Sequence, residues 1–184
     1  MLAINFNGDG PESASFAFYS CTPPSQALAP TRIATTISTM TVGWDDPADN
    51  GGCFITGFAV FVDDGQLGTF TEVNSADDPN VRGNPGLHSL VITSPFTVAS
   101  IGLSFRVKIV SYNVDGETES AVATIVLGDV PDAPTTVVEK ITTPNNHSSN
   151  KLTVQFAALP SAGNNGLPIL SYSLEIDYDL DGSF

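Results

Sequence analysis

An all-β chain made of two-layer sandwiches is predicted by three observations. Short runs of Val, Ile, Thr and Phe alternate with polar residues. Clusters of Gly, Pro, Asn and Asp break these runs roughly every 8–15 residues, the spacing of strands in a sandwich. Several of these segments return later in the chain in the same order.

Taken from the start, Asn7-Gly8-Asp9-Gly10-Pro11 is a turn run. The first 20 residues show no basic start and no continuous apolar segment, so no signal peptide is read there. Residues 21–30 are rich in proline and read as a short linker. Met40-Thr41-Val42-Gly43-Trp44 and Phe58-x-Val60-x-Val62 are the next strands. The stretch from Thr71 to Leu87 reads as a long loop, either a contact surface or solvated chain. In Phe105-Arg106-Val107-Lys108-Ile109 the apolar residues share one face. Arg106 and Lys108 share the other, which is expected to be wet, as in an antiparallel sheet with one solvated side. Residues 129–134 form a second proline-bearing linker. No stretch of helical length keeps a 3.6-residue period without a Gly or Pro break.

The internal repeats set the organisation. Asn5-Phe6-Asn7-Gly8 returns as Asn113-Val114-Asp115-Gly116, and Glu12-Ser13-Ala14 as Glu119-Ser120-Ala121. Met40-x-Val42-x-Trp44 returns as Leu152-x-Val154-x-Phe156. Asp49-Asn50-Gly51-Gly52-Cys53-Phe54-Ile55 returns as Asn164-Asn165-Gly166-Leu167-Pro168-Ile169, and Phe58-x-Val60-x-Val62-Asp63 as Tyr172-x-Leu174-x-Ile176-Asp177. The expected modules are residues 1–22, the last strands of one copy; 23–130, a complete copy; and 131–184, the first half of another. On that reading Met1 is not a natural start, and the missing leader carries no weight for location.

Composition removes several functions. The 184 residues carry 20 acidic and 6 basic side chains, a net charge of −14. Nucleic acid requires Lys and Arg to displace phosphate counterions, so it is not an expected partner. No apolar run approaches the ~20 residues that span a bilayer, so no membrane insertion is expected in this segment. Hydrophobic residues reach 41%, enough for a packed core.

The motifs and their order resemble the fibronectin type III family. Pro30 enters the first strand, Trp44 lies on the second and Asp46-Pro47 follows it. Asn50-Gly51-Gly52 forms the next loop, and Phe58-x-Val60 the third strand. Gly102-x-x-Phe105-x-Val107-x-Ile109-x-x-x-Asn113 comes near the end. The resemblance covers nearly the whole chain. It implies sheets of three and four strands packed face to face. Trp44 would sit between them, with Val42, Phe58, Val60, Leu90, Ile92, Phe105, Val107 and Ile109 as core neighbours. The family usually has Tyr where this chain has Phe105, so one hydroxyl hydrogen bond is lost while ring burial is kept. In this family the chain enters at the pole that holds the loop between the second and third strands. The resemblance therefore implies a disulfide between Cys21 and Cys53, the chain's only cysteines; the alternative is two unrelated thiols. A disulfide would imply an oxidising compartment.

Little in the chain suggests catalysis. His88 and His147 are isolated, and no nucleophile elbow, phosphate loop or Cys-x-x-Cys pair is present. Asp45/Asp46 and Asp77/Asp78 precede Pro47 and Pro79 and read as turn residues. No cofactor is expected, with one opening left for calcium. Asp177-x-Asp179-x-Asp181-Gly182 has the spacing of the first half of a calcium loop, and also that of a polar hairpin turn. Asn146-His147-Ser148 is a glycosylation sequon. Arg82-Gly83-Asn84 lacks the carboxylate of an integrin motif, and integrin binding is not carried over.

The expected protein is a non-catalytic structural segment of a tandem array, in an extracellular or cell-surface fibre or adhesion protein. Its partners would be neighbouring modules of the same chain and protein–protein or homo-polymeric contacts. The alternatives are an accessory module of a larger enzyme or receptor, and an intracellular scaffold.

Overall fold

The computed structural model describes residues 1–73, 81–135, 138–140 and 153–175. All its extended elements are β. In chain order they are β1 (Ile4–Asn5), β2 (Gly8–Asp9), β3 (Thr31–Thr35), β4 (Met40–Gly43), β5 (Gly57–Val62), β6 (Thr71–Glu72), β7 (Ser89–Ile92), β8 (Ser104–Tyr112), β9 (Glu117–Glu119), β10 (Ala123–Val126), β11 (Glu139–Lys140) and β12 (Val154–Gln155). Two short 3₁₀ turns, Val98–Ser100 and Ser161–Asn164, are the helical pieces among the described residues.

Residues 31–126 hold an immunoglobulin-like sandwich. One sheet has the order β3-β4-β7. The other runs β10-β8-β5-β6, with β9 also paired to β8. All these pairings are antiparallel. Side chains alternate across a strand, so register decides which face reaches the core. Val60 lies opposite Ile109 and Val62 opposite Val107, and Ile125 faces Phe105. In the second sheet Met40 pairs with Ile92 and Val42 with Leu90. The inner faces meet in one cluster of Met40, Val42, Trp44, Phe58, Val60, Val62, Ile92, Phe96, Phe105, Val107, Ile109, Ile125 and Leu127. Leu90 is only partly buried, at the cluster's margin. Trp44 meets Phe58 edge-on at 5.8 Å, and Phe105 meets Phe96 at 4.9 Å. Edge-to-face pairing of this kind adds to what area burial alone provides.

Three expectations need correction. Residues 21–30 are not a free linker. Pro24 and Ala27 are buried, and the Ala121 amide donates to the Ala27 carbonyl. The segment runs along the module before β3 begins. The outer face of β8 is not simply wet either. Arg106 is bonded to the fully buried carboxylate of Asp63 and lies over the Phe70 ring. Lys108 pairs with Glu119 between the rings of Phe61 and Phe70. Nor is the stretch after Thr71 only a loop. β6 pairs with β5, and Arg82 forks onto both oxygens of Glu72 at 2.7 and 2.9 Å while stacking on Tyr112. Residues 82–84 cross Gly57 so closely that a Cβ there would meet the Arg82 carbonyl at 1.7 Å.

Outside the sandwich, β1 and β2 form a small hairpin, and Phe6, Phe16, Phe18 and Tyr19 around it are exposed. β11 pairs with β12, and the Phe156 ring packs on Tyr172 at 5.3 Å. Truncating the centre of the core tests the register. Phe58→Ala should cost about 3–5 kcal/mol, the usual range for a buried Phe. Urea unfolding monitored by Trp44 fluorescence would measure it.

Candidate functional site

The described residues place their most elaborate polar geometry where the chain enters the sandwich. Cys21 and Cys53 are joined there by a disulfide, with Cα atoms 5.7 Å apart. Beside it the Thr22 amide donates to the Gly51 carbonyl at 3.0 Å, and the Ser25 amide to the Asp49 carbonyl at 2.8 Å. The Asp49 amide in turn donates to Ser25 Oγ. Asn113 Nδ2 donates to both the Thr22 and Asn50 carbonyls, clamping the loop after β8 onto the same joint.

The sequence builds this loop locally. Asp49 and Asn50 side chains accept the amides of Gly51 and Gly52 two residues on, the usual way such residues nucleate turns. Gly51 and Gly52 both have positive φ, 73° and 85°. A Cβ on Gly51 would lie 2.0 Å from the Thr22 carbonyl, so the close approach requires glycine as well.

The same geometry occurs a second time. The Asp129 amide donates to the Asn165 carbonyl at 3.0 Å, and the Asp132 amide to the Gly163 carbonyl at 2.8 Å. Asn164 accepts the Gly166 amide. Asn165 and Gly166 have φ of 50° and 85°. Asn165 takes the place of Gly51, and Asn tolerates the left-handed region. Its Nδ2 donates to the Val130 carbonyl and to Asp132 Oδ1. Likewise Asn5 and Asn113 each accept the amide two residues on, closing the hairpins β1–β2 and β8–β9 alike.

The other candidates are placed as follows. Trp44, Phe58, Val60, Phe105 and Val107 lie in the core. Asp177, Asp179, Asp181 and Asn146 lie outside the described residues. Among the described residues there is no cluster of three metal-ligating side chains, and no helix is long and apolar enough to cross a membrane. His88 is satisfied structurally: Nε2 faces Asp46 Oδ1 at 3.1 Å and Nδ1 faces the Gly86 carbonyl. The Asp46 carboxylate holds the imidazole above its ordinary pKa of 6.5. Sequence reasoning missed the stacked cations of the outer sheet. Their signal was available in Phe61, which alternates with the core positions Val60 and Val62 as Arg106 and Lys108 do with theirs, but the ring of Phe70 reaches them only through the turn after β5.

No family model matches the chain. Among solved structures, the chain superposes on titin domains in a crystal structure with a TM-score of 0.46 at 15% identity, over 58% of this chain and 32% of that one. The twitchin kinase region from C. elegans gives 0.46 at 15%, over 57% and 17% respectively. A fourth FNIII domain from human, determined in solution, gives 0.48 at 17%, over 67% and 95%. This chain thus spans a third or less of the titin and twitchin structures. The sandwich assignment rests on the strand order and registers themselves.

Two measurements test the joint. On the chain-entropy model, a disulfide closing a 32-residue separation contributes about 3–4 kcal/mol. Cys21→Ser with Cys53→Ser should lower the urea midpoint accordingly. The second test concerns His88. A raised folded pKa stabilises the fold fully below the unfolded value of 6.5, and that gain is lost as pH rises through the folded value. The urea midpoint of the native chain should therefore fall slightly between about pH 6 and 8. Asp46→Asn should flatten that slope.

Proposed function

We propose that this chain is a non-catalytic structural segment of a tandem fibronectin III-like array, with modules at residues 1–22, 23–130 and 131–184. Its work is to hold neighbouring modules at a set spacing and angle within an extracellular or cell-surface fibre or adhesion protein. The observation that carries the proposal is the repeated joint, in which the same backbone bonds close at Thr22/Gly51 and at Asp129/Asn165. The ring pairs Trp44–Phe58 and Phe156–Tyr172, at corresponding repeat positions, support the same reading. The disulfide supports an oxidising compartment. The partners of this segment are then adjoining modules and other copies, met through loops and strand edges rather than a pocket. Calcium at Asp177, Asp179 and Asp181 and a glycan on Asn146 belong to the same proposal.

Joints of this kind leave little hinge freedom. Electron microscopy of the parent protein from its native source should show regular rods. Flexible, monodisperse monomers at high concentration would count against the fibre.

A further inference from the structure

The disulfide has a counterpart in the second joint. The residue preceding Thr22 is Cys21, and the one preceding Asp129 is Gly128. The residue following Gly52 is Cys53, and the one following Gly166 is Leu167. Gly128 is buried, and a Cβ built on it would lie 2.7 Å from both the Asn165 carbonyl oxygen and Leu167 Cγ. In a disulfide, one Cβ stands about 3 Å from the opposite sulfur. Leu167 Cγ therefore occupies nearly the place that a bonded sulfur would take. Around it the backbone leaves no room for a further side chain. A Cβ on Gly166 would meet the Gly102 amide nitrogen at 2.6 Å and the Leu127 carbonyl at 3.0 Å. The Gly102 amide itself donates to that carbonyl.

We propose that Leu127–Asp132 with Gly163–Leu167 is a second copy of the Cys21–Cys53 joint, in which Leu167 packed over Gly128 replaces the disulfide. The loop at Ile101–Gly102 is then the docking surface of the complete module for the module that follows. This rests on reading the chain as tandem modules. It adds that the angle at the second joint is set without redox chemistry, by an apolar contact that only a glycine at 128 admits. Reducing conditions should therefore loosen the first joint and leave the second intact. The geometric match at two hydrogen bonds and two backbone conformations makes coincidence a poor account, because each is independently demanding.

The test uses the full 184-residue chain with Cys21 and Cys53 retained. Gly128→Ala, whose Cβ would stand 2.7 Å from the Asn165 carbonyl and from Leu167 Cγ, should raise amide exchange at Asp129 and Asp132 by about tenfold. As a second variant, Leu167→Ala should raise amide exchange at Asp129 and Asp132 by about tenfold, the response of a locally opened contact. It should leave Thr22 and Ser25 unchanged. Dithiothreitol on the native chain should do the reverse. Unchanged exchange at Asp129 and Asp132 in both variants, with those amides protected in the native chain, would overturn the proposal and leave the tandem reading standing. Absence of protection at those amides in the native chain would overturn both.

Discussion

The pairing of β5 with β8 is the constraint on which the rest of the sandwich depends. It runs from Gly57 opposite Tyr112 to Val62 opposite Val107 without a break. That register puts Phe58, Val60 and Val62 on the same face as Phe105, Val107 and Ile109. A slip of β8 by one residue would turn Phe105, Val107 and Ile109 toward solvent and bring Arg106 and Lys108 inward. The opposite sheet follows from it, since Trp44, Met40 and Ile92 can be buried only against those side chains. The segment at 82–84 follows too, because it can lie across β5 only where Gly57 offers no Cβ.

The outer face of the same sheet uses scarce charge with economy. Arg82, Arg106 and Lys108 are three of the chain's six basic residues. Each has a carboxylate partner and lies over an aromatic ring. Asp63 is fully buried, yet it accepts from the Arg106 amide, the Arg106 guanidinium and the Gly65 amide. A buried carboxylate persists when its lone pairs are met in this way. Stacking on Phe61 and Phe70 keeps the cations partly desolvated, where their attraction to the rings is strongest. In a chain with net charge −14, this leaves the exposed surface dominated by uncompensated acid and disposed against anionic partners.

Where the chain enters and leaves the sandwich the controlling requirement is different. Chain entering or leaving a sandwich carries backbone amides and carbonyls that no sheet accepts, and burying them unpaired is costly. Both joints solve this with a turn whose carbonyls point at the incoming strand. Turns of that shape need two consecutive residues at positive φ, hence Gly51-Gly52 and Asn165-Gly166. Beside the paired amides stands the Cys21–Cys53 disulfide in one case and the Leu167 side chain against Gly128 in the other.

The sequence by itself determined the class of fold, the alternating strands and the shared face of Phe105, Val107 and Ile109. These are properties of local period and burial, which residue order carries directly. It also exposed the return of the Asp49–Ile55 turn as Asn164–Ile169, because a backbone conformation restricts residue type. Family resemblance supplied the core around Trp44, Phe58 and Val60 and the pairing of Cys21 with Cys53. Only the tertiary structure decided that residues 21–30 pack as part of the module, and that Arg106 and Lys108 are covered rather than wet. It alone placed Gly128 under Leu167. Each of these depends on which surfaces meet across 30 or more residues of intervening chain. Periodicity cannot report such meetings, because it describes how a strand faces and not what it faces.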